Sequence, residues 1–215
     1  LKKGCMERSA GLINKALELG AHINLRLPDS NTFAHEVAYP DTTDLLELLL
    51  QKGADAHAKN NEGLTPVNKL LFIACREIKL AAIHKALELG ASVQAMSHDN
   101  ETVLNLVLEN YEQWGNELLP LVELFLQQKA PVNSAHEGGK APLHHVAVPQ
   151  RIKIFNILIK NGADATAKDV SSLTPADLLL INSCINDSLD GVKLSIKLGA
   201  DINKVDPINN RSHVY

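Results

Sequence analysis

The chain has 215 residues, of which 45% are hydrophobic and 21% are charged, and its formal net charge at pH 7 is -4. This composition is typical of a folded protein and argues against a disordered segment. The charge gives no electrostatic support for binding nucleic acid or anionic lipid, since both need clustered lysine and arginine. No apolar run reaches the ~20 residues that span a bilayer, so membrane insertion is not expected.

The cysteines indicate free thiols rather than bridges or a metal site. Cys5, Cys75 and Cys184 are far apart, odd in number and without any C-x-x-C spacing. A disulfide framework, a zinc site or another cofactor is therefore not expected. Cys75 and Cys184 each lie ten residues after a threonine, Thr65 and Thr174, so we expect both to be small core residues in equivalent positions. Reduced thiols indicate a cytoplasmic setting.

Taken in chain order, each predicted amphipathic helix ends at a Gly-Ala pair. The first such helix covers Leu12–Leu19, and residues 1–10 before it are expected to form a shortened partner helix. Glycine suits the helix end because it adopts the left-handed conformation without a steric penalty from Cβ. The pairs are Gly20-Ala21, Gly53-Ala54, Gly90-Ala91, Gly162-Ala163 and Gly199-Ala200, with a degenerate copy at Lys129-Ala130.

The degenerate copy departs from this pattern because it lacks the glycine. Lys129 at a helix end needs either a costlier left-handed residue or a helix that closes differently. Pro131 follows almost directly. We therefore expect an irregular junction at this position.

A helix start follows each of these pairs at a nearly constant distance. Threonine accepts a backbone N–H bond as an N-cap, and proline fits the first helical position. The distance from the glycine position to the start is twelve residues in five copies and thirteen in the last. From each start to the next glycine position it is 21, 25, 27, 21 and 25 residues. Since four residues make about one helical turn, the longer copies are expected to lengthen a helix or its connecting turn. The start positions are Thr32, Thr65, Thr102, Ala141, Thr174 and Ser212.

The start positions open with TFAHEV at Thr32, TPVNKL at Thr65, TVLNLV at Thr102, APLHHV at Ala141 and TPADLL at Thr174. Together with the closing Gly-Ala-Asp segments, these openings resemble the ankyrin repeat family, whose unit of ~33 residues opens with T-P-L-H-x-A. The resemblance covers the whole chain. It implies an all-α fold, an α-solenoid of helix-turn-helix repeats joined by β-hairpin-like turns.

The resemblance also implies one ankyrin-repeat domain over residues 1–215. The array is divergent, in a style that also suits a bacterial effector protein. We expect a partial first repeat, five full repeats and the start of another, because the chain looks like a piece of something larger. The boundaries are 1–25 for the partial repeat, 26–58, 59–95, 96–134, 135–167 and 168–204 for the full repeats, and 205–215 for the last.

One departure from the family concerns the histidine of the opening. It is present as His35 and His144 and is replaced by Asn68, Asn105 and Asp177. All five side chains can form hydrogen bonds across the turn. The structural role of the histidine is therefore expected to persist.

The resemblance implies that a partner protein binds on the concave face formed by the reversals and the first helices. Loops on a rigid scaffold can vary without disturbing the core. Tyr39, Phe72 and Leu64 rank first as contacts because aromatic and apolar anchors dominate interface energies, although Phe72 could equally belong to the core. The candidate contact residues are Arg26, Asp29, Asn31, Tyr39, Lys59, Asn61, Glu62, Leu64, Phe72, His98, Asp99, Glu101, Asn110, Glu137, Lys140 and Leu173.

Trp114, the single tryptophan of the chain, lies in the longest insertion, Glu109–Glu117. It has two interpretations. In the first, the indole folds back over the lengthened helices as a local cap. In the second, it forms a further binding edge for the partner, opposite the turns.

No pattern in the chain indicates catalysis. His144 and His145 are adjacent, so on a helix they point about 100° apart and cannot easily hold one metal ion. H-E-x-x-H, G-x-S-x-G and the glycine-rich phosphate motifs are absent from the sequence. We therefore expect a binding protein rather than an enzyme, with no small-molecule substrate and no nucleic acid partner.

Two alternatives remain open at this point. The chain could be the targeting or substrate-recruitment module of a larger enzyme or bacterial effector, whose catalytic domain lies outside these residues. It could also be a spacer without a specific ligand. The location is cytoplasmic in the main interpretation, or the cytosol of a host cell if the protein is an effector.

Overall fold

The computed structural model describes residues 1–203, and for Glu137 it describes the backbone alone. Over that range the protein is all-α, with no strand. None of the helices in residues 1–203 has the length and hydrophobicity needed to cross a membrane. The α-helices are α1 (Lys2–Met6), α2 (Ala10–Glu18), α3 (Phe33–Glu36), α4 (Thr43–Gln51), α5 (Pro66–Arg76), α6 (Leu80–Glu88), α7 (Val103–Glu109), α8 (Tyr111–Trp114), α9 (Leu118–Gln127), α10 (Pro142–His145), α11 (Ile152–Lys160), α12 (Pro175–Ile185) and α13 (Leu189–Lys197).

The chain divides into two compact units, Leu1–His98 and a second from Asp99 onward. In the first unit the helices pack as pairs, α1 with α2, α3 with α4 and α5 with α6, and α1, α3 and α5 also pack in order. In the second unit α7, α10 and α12 form the equivalent row. Fully buried side chains fill each core, among them Ile13, Leu46, Leu49, Leu70 and Ile83 in the first unit and Leu104, Phe125, Leu143 and Phe155 in the second.

The predicted helix ends are confirmed. After α4, Gly53 has a φ of +92°, and the N–H of Ala54 donates back to the carbonyl of Leu49 at 2.9 Å. In every copy, the alanine after the helix-ending residue donates the same bond back to the last turn of the preceding helix. Lys129 also adopts the left-handed conformation, with a φ of +64°. The junction at Lys129 therefore closes as the others do, with a lysine in place of glycine, and the expectation of an irregular junction is wrong.

The predicted helix starts are also confirmed within the described residues. Thr65, Thr102 and Thr174 each cap a helix, and the side-chain oxygen accepts a backbone N–H three residues later. Thr32 and Ala141 precede α3 and α10. Ser212 and the further repeat expected at 205–215 lie outside the described residues.

The variable spacing has a direct structural cause. The short copies contain four-residue first helices, α3 and α10, followed by Pro40 and Pro149. Proline lacks the N–H that would continue the helix, so each proline opens a new 3₁₀ turn. The longer copies have no proline there, and α5 and α12 run for 11 residues. The expected lengthening of a helix is confirmed.

The two units share the same order of elements at a shift of 109 residues, as Gly53 with Gly162 and Thr65 with Thr174 illustrate. The shift also relates Cys75 to Cys184. The prediction of a core thiol is confirmed for Cys75, which is fully buried and whose thiol pKa burial raises. Cys184 is only half-buried. These equivalent pairs supply matched positions for mutagenesis.

We predict that Lys129→Gly raises the free energy of unfolding by about 1 kcal/mol, because a left-handed lysine carries a steric cost that glycine does not. Urea denaturation of both proteins measures the difference. The matched control is Gly162→Ala, where an added Cβ would meet nothing within 4 Å and only the φ of +88° opposes it. That variant should lose about 1 kcal/mol. Unchanged unfolding midpoints for both variants would contradict the prediction.

Candidate protein-interaction surfaces

Successive reversals are joined by an asparagine that bonds to the backbone of the next reversal. In the first unit Asn24 donates from Nδ2 to the carbonyl of Gly53 at 3.2 Å, and its Oδ1 accepts the N–H of Asp55 at 2.7 Å. In the second unit Asn133 makes the same two bonds to Gly162 and Asp164, both at 2.9 Å. The reversals are therefore held at a set distance from one another within each unit.

A second link comes from the opening histidine. His35 Nδ1 accepts the N–H of Thr32 at 3.0 Å, so its Nε2 carries the hydrogen and donates to the carbonyl of Leu64 at 3.1 Å. Burial lowers the pKa of His35, and the cations of Lys69 and Arg26 lower it further. The neutral ring is therefore the form that connects this repeat to the next.

The residues that replace this histidine form the same kind of link, as predicted. Asn68 Oδ1 accepts the N–H of Ser92 at 2.8 Å, and Asp177 Oδ1 accepts the N–H of Asp201 at 2.9 Å. Asn105 donates from Nδ2 to the carbonyl of Ser134 at 2.9 Å. Since a donor and an acceptor both serve, the position requires a polar group of suitable length rather than a histidine.

The tip of the second reversal is the most exposed candidate surface of the first unit. The side chains of Lys59, Asn61 and Glu62 are exposed. Their backbone is nevertheless held, because Arg26 Nη1 donates to the carbonyl of Lys59 at 2.9 Å and the N–H of His98 donates to that of Glu62 at 3.1 Å. This tip combines a fixed backbone with side chains open to a partner.

Four of the predicted contact residues lie in the core instead. Leu64, Phe72, Leu173 and Trp114 are all buried, so the prediction that they present their side chains to a partner is wrong. Leu64 and Leu173 occupy equivalent inward positions just before a helix start, where the carbonyl of Leu64 accepts the bond from His35. Phe72 faces inward from α5. The alternative assignment of Phe72 to the core is the correct one.

Trp114 is 4% exposed, at the end of the short helix α8. This burial agrees with the interpretation in which the indole packs over the lengthened helices. The second interpretation, a further binding edge, requires an exposed ring and is wrong in this structure. Nearby, the guanidinium of Arg151 lies 4.9 Å from the centre of the Tyr111 ring, which also stabilises this insertion.

Asn31 is likewise buried and serves as an internal link. Its N–H and its Nδ2 donate to the carboxylate of Asp29 at 3.1 and 2.7 Å, and Nδ2 also donates to Glu36 at 2.9 Å. The amide thus holds two carboxylates together, and its placement as a contact residue is corrected. Asp29 itself remains exposed.

Tyr39 is the predicted anchor that the structure leaves open, with 40% of its surface exposed. The ammonium nitrogen of Lys69, from α5, lies 4.9 Å from the centre of its ring. The same nitrogen donates to the carbonyl of His35 at 2.9 Å. Lys69 was not among the predicted residues, yet it places a cation beside the exposed aromatic ring.

The second unit carries a histidine pair that includes His145, which is the fourth residue after its helix-start position, as Lys69 is. His136 and His145 approach with their Nε2 atoms 3.3 Å apart and their rings nearly parallel, at 6°. Burial lowers the pKa of His145 to about 4, with smaller contributions from His136, Lys140 and His144. At neutral pH the ring of His145 is therefore uncharged. Lys140, a predicted contact, is exposed next to this pair.

The remaining predicted residues are dispersed. Asp99 is exposed, Glu101 is half-buried, and Asn110 donates from Nδ2 to the carbonyl of Leu106 in its own helix. The side chain of Glu137 lies outside the description. Within residues 1–203, no three His, Cys, Asp or Glu side chains come together in an arrangement that could hold a metal ion.

No family model matches this chain. Curated proteins similar to it include neurogenic locus notch homolog protein 2 of Homo sapiens, 25% identical over 164 residues, or 76% of this chain. Notch homolog protein 1 of Danio rerio is 25% identical over 168 residues, or 78% of the chain. The chain spans 6% of the length of each of these two relatives. Because Notch proteins contain ankyrin repeats, the similarity supports an ankyrin-like repeat in this chain.

Sequence reasoning missed Lys69 and the His136–His145 pair. Both involve the fourth residue after a helix-start position, which is Glu36, Lys69, Leu106, His145 and Leu178 in the successive copies. The residues on either side of this position are similar among the copies, whereas the charge of the residue at the position differs. Alignment of the copies would therefore have singled the position out, although not the neighbours that it contacts.

We predict that the stability of this protein falls as the pH drops below 6.5, because the pKa values of His35, His144 and His145 are lowered in the folded state. Between the folded and unfolded pKa values the unfolded chain binds more protons, so acid favours unfolding. His145 contributes between pH 6.5 and its folded value of about 4.

The variant that checks this is His145→Leu, which places at 145 the residue found at 106 and 178. Urea unfolding of both proteins at several pH values between 5 and 8 measures the difference. Below pH 6.5 the free energy of unfolding of the wild type should fall more steeply than that of His145→Leu. The difference should reach about 2 kcal/mol after allowance for partial exposure. Parallel curves for the two proteins would contradict the assignment to His145.

Proposed function

We propose that this chain is a protein-protein interaction module, an α-solenoid of ankyrin-type repeats that binds a partner protein on the concave face formed by its reversals and first helices. The observation that carries the proposal is the constant framework of the reversals with exposed, variable side chains at their tips. Hydrogen bonds from Asn24, His35 and Asn133 hold the backbone of successive reversals. Such a framework lets the tip residues change without loss of the fold.

The chemistry of the exposed residues supports a protein partner. Arg26, Lys59 and Glu62 alternate in sign along the reversals of the first unit, and Tyr39 adds an exposed aromatic ring. Aromatic residues within a polar rim are typical of protein interfaces. A partner selected by uniform negative charge, such as nucleic acid, would favour an array of cations that this mixed surface lacks.

The proposal assigns binding, and not catalysis, to these residues. It includes a cytoplasmic setting, in which the thiols of Cys5, Cys75 and Cys184 stay reduced. The similarity to a small part of much longer Notch proteins supports the proposal that such arrays act as one module among others. In that case the module would recruit a target for the larger protein, such as an enzyme or effector.

Affinity capture with the purified chain, followed by mass spectrometry, tests the proposal. The test variant carries Lys59→Ala, Asn61→Ala and Glu62→Ala, which remove exposed tip side chains and leave the backbone bonds intact. The control variant carries Gln51→Ala and Lys52→Ala at the exposed end of α4. We expect the wild type and the control to retain a common protein that the tip variant loses, with similar melting temperatures for all three.

A protein retained equally by all three baits would show that this tip makes no contact. If none of the baits retained a protein above the level of an unrelated bait, the chain would be a spacer and the proposal would be overturned.

A further inference from the structure

Lys69 is a buried cation without a carboxylate partner. Its side chain is 9% exposed, and within residues 1–203 no aspartate or glutamate forms an ion pair with it. Removing an ammonium group from water is unfavourable unless an anion or several acceptors replace the water. Here the replacements are one carbonyl oxygen, that of His35, and one face of the Tyr39 ring.

The ammonium group has three N–H donors, and the carbonyl of His35 accepts only one of them. The Tyr39 ring covers another side, at 4.9 Å from its centre. Because Tyr39 is itself 40% exposed, the pair lies at the surface of the unit and not deep in its core. A ligand that packs beside the Tyr39 ring would therefore lie next to a cation with unused hydrogen-bonding capacity.

The surrounding charges favour an anion at this place. Burial is the largest cause that lowers the pKa of His35; among the neighbouring charges, the cations of Lys69 and Arg26 lower this pKa further and the carboxylate of Glu36 raises it less. Among the acidic groups near this site in the chain, Asp29 and Glu36 are both bonded to the amide of Asn31, and Asp41 forms an ion pair with Arg8 at 3.9 Å. The local charge around His35 is thus positive, and the nearby carboxylates are bonded to groups other than the ammonium of Lys69.

The fold does not require a lysine at this position. The equivalent residues in other copies are Glu36, Leu106, His145 and Leu178, and each of them is the fourth residue of the helix that follows its start position. Leu106 is buried, so a leucine satisfies the packing. A buried cation that packing does not demand, beside an exposed aromatic ring, indicates a role in binding.

We propose that Tyr39 and Lys69 form a subsite that receives an aspartate or glutamate side chain of the partner protein. This inference rests on the proposed function and specifies the chemistry of its partner. The carboxylate would accept the unused N–H bonds of Lys69, and the aromatic ring would pack against the stem of the acidic residue. Charge-assisted bonds in a site shielded from water are stronger than those between exposed groups.

Selection from a library of random linear peptides on the immobilised full chain tests the subsite. The strongest wild-type binder is then synthesised in two forms, one with its acidic residues and one with the corresponding amides. Isothermal titration measures both forms against the wild type, Lys69→Leu and a control, Lys52→Ala, which removes an exposed lysine at the end of α4.

We expect acidic peptides to be enriched, and the amide form to bind the wild type and the Lys52→Ala protein at least about tenfold more weakly than the acidic form does. For Lys69→Leu the two forms should bind alike, because the charge that distinguishes them is gone. This thermodynamic cycle tests whether the acidic residue of the peptide interacts with Lys69 itself, rather than with the overall charge of the protein. The melting temperature of Lys69→Leu should equal or exceed that of the wild type, since a buried charge is replaced by an apolar group.

Three results would overturn the subsite. One is a selected peptide whose acid and amide forms bind the wild type equally. Another is an acid preference that persists in Lys69→Leu. A third is a marked loss of stability in that variant, which would show that the charge serves the fold. In the first two cases peptide binding itself is intact and the proposed function stands. Failure to select any peptide would count against both the subsite and the proposed function.

Discussion

The structure of each unit depends on the hydrogen bonds that join one reversal to the next. A single helix pair cannot bury its own apolar face, so it must stack on a neighbour, and stacking requires the neighbours to keep a set distance. Asn24 and Asn133 maintain that distance by donating to one backbone carbonyl and accepting one N–H of the following reversal. In five copies the reversal therefore keeps a length of twelve residues, and most changes in length fall in the helices.

The same constraint explains which substitutions the repeats tolerate. The position of His35 is filled elsewhere by Asn68, Asn105 and Asp177, and each of them still bonds to the backbone of the following reversal. The position of Lys69 makes no bond that all copies share: Lys69 donates to the carbonyl of His35, whereas other copies have an acid, an apolar residue or a histidine at this position. Differences between repeats therefore accumulate where the stack does not depend on them, and those are the places where specificity for a partner can reside.

The helix ends, the helix starts and the lengthened helices of the longer copies could be predicted because each depends on a few neighbouring residues. Gly53 and Thr65, for example, act on their own turns. The placement of the apolar candidates could not be predicted in the same way. Leu64 and Phe72 lie close to exposed tips in the chain, but burial depends on the neighbouring repeat, which a local pattern does not show.

The sequence by itself determined the repeated frame: where each helix begins and ends, where a lysine replaces glycine, and which polar residues stand at the links. Those features follow from backbone conformation and capping, which act over a few residues. Only the tertiary structure decided that Trp114 is buried, that Lys69 lies against Tyr39 and that His136 meets His145. These contacts join residues that are 9 to 30 positions apart or depend on the packing of whole helices, so their geometry exists only once the elements have stacked.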